Sequence, residues 1–310
     1  MAGMPTETAA ADAAPPEGAA PVGAPAAWIR LIGALPWPVL YGFASCLAFL
    51  AERVVRYRHG QVQEKLTLAF PDAHEARLAE IQHGYYRGFA DMLVEIVKST
   101  RMSAAAITER VTIRNVGMVQ DFLDRGTPVL LVAAHQCNWE WMLLALSLEL
   151  GFPLDAAYKP LIDNWAEREM LKIRSRFGGR LVPAQTLLAD MIKRREVVRA
   201  IAIVADQEPV SSERKHWTRF LNRDTAFYMG PEEITRVTRY PALFIAMRRL
   251  GRGRYEMEFR PLAGEGEALA PGALTERYAR LVEEQIRAAP QDWPWSHKRW
   301  KLKRPLYRAH

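Results

Sequence analysis

Residues Val129 to Ala134 form an unbroken apolar run of strand length, preceded by the turn-forming Gly126-Thr127-Pro128 and followed at once by His135. A run without polar alternation has no solvent face, so it predicts a central strand of a sheet covered on both sides. In open α/β sheets the carboxyl ends of the strands open on the crevice where ligands bind. His135 is therefore expected at a ligand-facing strand end. Ala200-Ile-Ala-Ile-Val-Ala205 repeats the pattern as a second fully buried strand and ends in a polar pair, Asp206-Gln207.

Glu140 lies five residues after His135. On one continuous helix that spacing separates two side chains by about 140°, so the two meet only if His135 is on a loop and a helix starts between them. Asn138 is a good N-cap residue, and it would put Glu140 in the first helical turn, able to point back at the imidazole. Trp141 to Leu150 is apolar nearly all round, as a buried helix is. A carboxylate beside a histidine orients the ring and stabilises the imidazolium once formed, as a general base requires. The competing reading is a satisfied structural His–Glu contact. Cys137 could be offered as a nucleophile, but neighbouring side chains on a turn diverge.

Elsewhere, Leu154 to Tyr158 reads as a strand leading to Lys159-Pro160, and a helix carrying Arg168, Lys172, Arg174 and Arg176 runs to Phe177-Gly-Gly179. Leu181 to Pro183 is a further strand, and Thr186 to Arg194 a helix with Leu187, Leu188, Met191 and Ile192 inward. Pro241 to Met247 and Tyr255 to Arg260 are strands, Gly230-Pro231 a helix start, and Thr275 to Ala288 an amphipathic helix. Helical spacing also covers Gln61 to Phe70 and His74 to about Thr100, within which Glu95 is expected to serve the structure or to support the site from behind its first layer of side chains.

The first 27 residues are Ala- and Pro-rich without Lys or Arg, a composition of disordered tails and not of a signal or transit peptide. Leu31 to Ala51 then carries no charge and reaches the about 20 residues of a membrane span. Pro36, Pro38 and Gly42 favour an interfacial or half-inserted helix over a straight span. Arg53, Arg56 and Arg58 follow, which places this end, and the domain after it, on the cytoplasmic side. The organisation read from this is a tail (1–27), a membrane-associating segment (28–58) and a catalytic domain (59–310). The alternative for the segment is an ordinary buried first helix.

Two cysteines make no disulfide framework and fit a reducing compartment. A net charge of +7 and a pI near 9.5 point to an anionic partner. No nucleic-acid-binding signature is evident, so nucleic acid is not expected. The carboxyl end, Trp293-Pro-Trp-Ser-His-Lys-Arg-Trp-Lys-Leu-Lys-Arg304, mixes Trp with basic residues in the manner of a surface facing anionic headgroups, a composition that would also stack on single-stranded nucleic acid.

His135-x-x-Asn138-Trp139-Glu140 after a buried strand resembles the His-x4-acidic block of the bacterial lipid A biosynthesis acyltransferases, relatives of the glycerol-phosphate acyltransferases. In the same order, Leu66-Thr-Leu-Ala-Phe-Pro-Asp72 resembles that family's Leu-x-x-Phe-Pro-acidic segment, and the Arg-rich helix end, Asp206-Gln207, the Phe220 to Glu232 block and the terminal Trp-x-His-Lys-Arg-Trp-Lys resemble that family too. The resemblance covers about Arg53 to Lys303. Departures are Cys137 where the family usually has Gly, Lys159 for an Arg, and Leu221-Asn222 for Phe-Gly. Asn tolerates the positive φ such a turn needs.

The resemblance implies an α/β fold with a mixed, largely parallel sheet, helices on both faces and an N-terminal membrane-associating helix at the inner membrane. It implies transfer of a fatty acyl group from an acyl thioester, with acidic acyl carrier protein as donor, to a hydroxyl of a lipid A precursor or related membrane lipid. His135 would be the base, Glu140 its orienting partner and Arg174, chosen over Arg176, the stabiliser of the oxyanion. Asn138, Lys159, Asp206 and Gln207 would support the site. No metal and no cofactor is required. The rivals are a membrane- or nucleic-acid-binding protein with a decayed site, and an acyltransferase with another acceptor such as an ornithine lipid, a polyene lipid or a phospholipid. A metal hydrolase is disfavoured because no His-Glu-x-x-His cluster accompanies His135.

Overall fold

The computed structural model of the chain describes residues 23–160, 163–210 and 214–304. Most of the stretch expected to be a disordered tail, residues 1–22, lies outside these. The amino end folds into α1 (Ala27–Ala34) and α2 (Trp37–Phe49), extended by a π-helical turn at Leu50–Val54. Then come α3 (His59–Ala69), the long α4 (Glu75–Ser99), α5 (Ala104–Thr108), β1 (Val111–Ile113), α6 (Gly117–Asp124), β2 (Val129–Ala133) and α7 (Trp139–Glu149). The middle of the chain gives β3 (Leu154–Tyr158), α8 (Asn164–Arg174), β4 (Arg180–Pro183), α9 (Leu187–Lys193) and β5 (Ala200–Val204). The remainder gives β6 (Lys215–Phe220), β7 (Arg223–Tyr228), α10 (Gly230–Thr238), β8 (Ala242–Gly251), β9 (Arg254–Ala263) and α11 (Ala273–Ala288).

Among the described residues the main sheet has seven strands in the order β1-β9-β8-β2-β5-β3-β4. Every pairing is parallel except β8 with β9, so the sheet is mixed and largely parallel as expected. The two apolar runs are its central strands, and every residue of β2 is buried. Because side chains alternate across a strand, Leu130 and Val132 enter one core with Ile201, Phe244 and the α11 residues Tyr278 and Val282, while Val129, Leu131 and Ala133 enter another with Trp141 and Leu144 of α7. Helices thus cover both faces.

Leu31 to Ala51 is broken where its prolines fall: Pro36 can neither donate a backbone bond nor tolerate a helical predecessor, and the chain bends by 106° between α1 and the α2–π segment. Among the described residues no single helix is long and apolar enough to cross a membrane; that bent pair meets the length and composition test together. One face of α2 (Leu40, Ala44, Ala48) is buried in the core, whereas Leu31, Val39, Phe43 and Phe49 face outward.

Three expectations need correction, the first at the carboxyl end. Trp293 and Trp295 are fully buried core residues and Arg299 is buried with its guanidinium over the Phe227 ring, so these side chains serve the fold and only Lys298, Lys301, Lys303 and Arg304 are exposed there. Second, Ile192 points outward from α9, while Leu187 and Met191 point in. Third, Phe220 to Tyr228 is part of an antiparallel hairpin, β6–β7, that sequence patterning missed. Its tip, Leu221-Asn222, has positive φ at both residues (48° and 63°), the signature of a tight two-residue hairpin turn.

Candidate active site

The parallel register of the two central strands fixes the site. Ala133 of β2 is paired with Val204 of β5, and two residues beyond each lie His135 and Asp206. Asp206 Oδ1 lies 2.6 Å from His135 Nδ1 and accepts the His135 backbone N–H at 3.1 Å, while Trp293 Nε1–H donates to Oδ2 at 2.9 Å. Burial alone would raise this carboxyl, but the His135 charge, its hydrogen bonds and the Trp293 indole outweigh that and hold it down to about 2. An ionised carboxylate only accepts, so it favours the neutral tautomer with the proton on Nδ1 and a lone pair on Nε2. Gln207 Nε2 lies 3.3 Å from that nitrogen.

The helix start is where the spacing put it. Asn138 caps α7, its side-chain oxygen accepting from Trp141 N at 3.0 Å and its amide donating to Glu95 at 2.8 Å. Glu95 is fully buried and accepts also from Tyr41 and Tyr255 hydroxyls at 3.1 and 2.6 Å; burial pushes its carboxyl up against the opposing pull of Arg249 and these donors. Asn138 and Glu95 thus hold the loop–helix junction from behind.

Glu140 does stand in the first turn of α7, but its partner is not the imidazole. Arg174, the last residue of α8, clasps both its oxygens (Nε to Oε2 2.7 Å, Nη2 to Oε1 2.6 Å), and Trp139 Nε1 donates to Oε1 at 3.1 Å. The first turn faces α8, where a planar guanidinium matches both carboxylate oxygens, while the ladder brings Asp206 to His135. The expected pairing of Glu140 with His135 is thereby replaced by two pairs, His135–Asp206 and Glu140–Arg174. Arg176 belongs to neither pair and donates to the Ser99 carbonyl.

A cavity of about 420 Å³ joins the two pairs. Its polar lining is His135, Gln207, Glu140, Arg174, Tyr158 and the exposed Lys159; its apolar lining includes Met142, Leu143 and Leu146 of α7 and Ala156, Ala202 and Leu181 at the sheet. Trp139 stands edge-on to the His135 ring at 5.0 Å. Cys137, by contrast, is buried with its thiol toward the Met247 carbonyl (3.5 Å), and burial pushes that thiol well above its ordinary value. Its φ of 55° is the left-handed conformation in which Gly is at home.

Sequence reasoning assigned no role to Trp139 and read Trp293 as a headgroup-facing residue, away from the site. Trp139 was inside the motif block; Trp293 is 87 residues from Asp206, and no spacing rule connects them.

Similarity to known proteins follows the same residues. A search of curated proteins finds no match. The sequence profile of one family, described as bacterial lipid A biosynthesis acyltransferase, matches residues 22–302, which includes every side chain of both pairs. A match over that much of the chain decides membership: the protein belongs to the bacterial lipid A biosynthesis acyltransferase family and is an acyltransferase.

Proposed function

We propose that the chain moves a fatty acyl group from an acyl thioester, carried on acyl carrier protein, to a hydroxyl of a lipid A precursor or related membrane lipid. The observation that carries this reading is the apolar cavity of about 420 Å³ that ends at the His135–Asp206 pair. A largely apolar space with a base in its lining suits a thioester whose acyl tail lies against the apolar side chains and whose carbonyl stays beside the polar ones.

In this mechanism the acceptor hydroxyl displaces Gln207 from His135 Nε2. His135 takes the hydroxyl proton as the oxygen attacks the thioester carbonyl, and Asp206 holds the ring and stabilises the imidazolium. Arg174, fixed by Glu140, supplies positive charge to the developing oxyanion. Collapse of the tetrahedral intermediate breaks the C–S bond, and the leaving thiolate takes the proton from His135. The ester is formed with no covalent enzyme intermediate. Lys159 in the lining and the net charge of +7 suit an acidic donor protein. The exposed apolar residues of α1 and α2 suit attachment to the inner membrane surface from the cytoplasmic side.

The test is to incubate the full chain with acyl-loaded acyl carrier protein and a lipid A precursor and to weigh the lipid products. One added acyl group, absent with His135→Ala, is expected. An unmodified precursor, with acylated ornithine lipid or phospholipid in parallel incubations, would replace the acceptor; no acylated product with any acceptor would overturn the reaction.

A further inference from the structure

A second cavity, of about 560 Å³, lies away from the acyltransferase site, between α1, the carboxyl end of α4 and α8. Arg30, Arg101, Lys172 and Arg176 line it, and no carboxylate does. Lys172 is already paired with Glu169 at 2.8 Å. Arg30, Arg101 and Arg176 have no carboxylate partner among the described residues, and Arg30 and Arg101 push the half-buried Arg176 guanidinium in the direction burial also drives it, downward.

The arrangement is built and not incidental. Gly33 brings α1 onto the end of α4: a Cβ there would meet the Thr100 hydroxyl and the Val97 carbonyl at 2.6 Å. Trp28 stacks on Trp165 at 5.6 Å, and Ala26 N–H donates to Glu169 at 2.6 Å, which ties α1 to α8. The packing therefore holds three guanidinium groups together against their mutual repulsion. Guanidinium forks match the tetrahedral oxygens of phosphate, and a phosphate among them would turn that repulsion into attraction.

We propose that this cavity binds the phosphate of an anionic membrane lipid. Trp28, Leu31 and Ile32 of α1 are 55%, 72% and 40% exposed, so the helix that carries Arg30 also offers apolar side chains to lipid tails. Arginines at headgroup level beside apolar side chains in the acyl region are how an interfacial helix sits. An acidic protein or free phosphate would use the guanidinium groups and leave that apolar face uncovered. The site does not depend on the acyl-transfer reaction.

The test uses the full chain in co-sedimentation with phosphatidylcholine vesicles, with and without phosphatidic acid. Arg30→Gln with Arg101→Gln should weaken binding to the phosphatidic acid vesicles by roughly 25-fold, about fivefold per basic residue, and leave cleavage of the acyl donor unchanged. The pair Lys193→Gln with Arg195→Gln, equal in charge but remote from the cavity, should cost much less. Equal losses in both pairs would reduce the effect to diffuse charge and overturn the site. So would unchanged vesicle binding accompanied by weaker binding of acyl carrier protein, which would assign the cavity to an acidic protein. Release of the parent chain by inorganic phosphate, but not by chloride at the same ionic strength, would overturn the lipid source in favour of the free anion.

Discussion

Asp206 Oδ1 engages His135 twice, through the ring Nδ1 at 2.6 Å and the backbone N–H at 3.1 Å. One carboxylate therefore sets both the tautomer of the imidazole and the position of the chain that bears it.

Replacing Asp206 by Asn keeps the shape and removes the charge. Turnover should fall roughly 10²- to 10⁴-fold, the usual contribution of a positioned base, and His135→Ala should fall as far. The double variant should be little worse than either, because the two act as one unit. Steady-state acyl transfer reads this out, and additive losses would separate the residues.

Glu140→Gln and Arg174→Lys test the second pair. Each breaks a fork-to-fork contact at a partly buried charge, and turnover should drop roughly 10²-fold, the scale of a lost oxyanion partner. Since neither residue touches His135 Nδ1, the pH at which activity rises should stay at that of the parent. A shifted pH profile in Glu140→Gln would restore the direct link from Glu140 to the imidazole.

Cys137→Ser should retain most activity, since the thiol is buried and raised. A thiol reagent should label exposed Cys46 in the native chain and reach Cys137 only on unfolding. Mass spectrometry of the labelled chain checks both, and an acyl group trapped on Cys137 would refute direct transfer.

Burial lowers His297 from 6.5 to about 4. The unfolded chain takes up this proton near pH 6.5, the folded chain only near 4, so the contribution to stability is whole above pH 6.5 and is lost as pH falls through that window. Asp206, held at about 2 against 3.8, is also stabilising above its unfolded value but is lost only at still lower pH. His297→Gln should flatten the fall in Tm between pH 6.5 and 4, worth about 1 to 2 kcal/mol after discounting for partial exposure. Thermal unfolding across that range measures it.

Membrane attachment is tested without cutting into the core. Deletion through Ala51 would remove Leu40, Ala44 and Ala48 from their buried places and cause aggregation for that reason alone. Leu31→Ser with Phe43→Ser alters side chains that are 72% and 63% exposed, so the fold should stand while the fraction pelleting with membranes drops. Unchanged pelleting would move the attachment elsewhere.

The central strands, the N-cap at Asn138 and the strand-end placement of His135 and Asp206 were legible because burial on both faces leaves an unmistakable apolar run and a helix start has its own chemistry. The partner of His135 was not. Spacing along the chain favoured Glu140, five residues away, whereas the actual partner is 71 residues away and becomes a neighbour only through the pairing of β2 with β5. The terminal tryptophans misled for a related reason: Trp beside Lys and Arg has the same composition at a headgroup surface and in a core whose basic neighbours, Arg299 apart, point outward. The β6–β7 hairpin escaped because Leu221 occupies a left-handed turn position that patterning reserves for Gly or Asn.

The pairing of Ala133 with Val204 makes the sheet a measuring stick for the reaction. A slip of one residue would turn either His135 or Asp206 to the opposite face, so no partly correct register yields a partly active protein. Because these are the innermost strands, their amides should exchange with solvent only when the whole sheet opens, and the base should survive every lesser breathing motion of the edges.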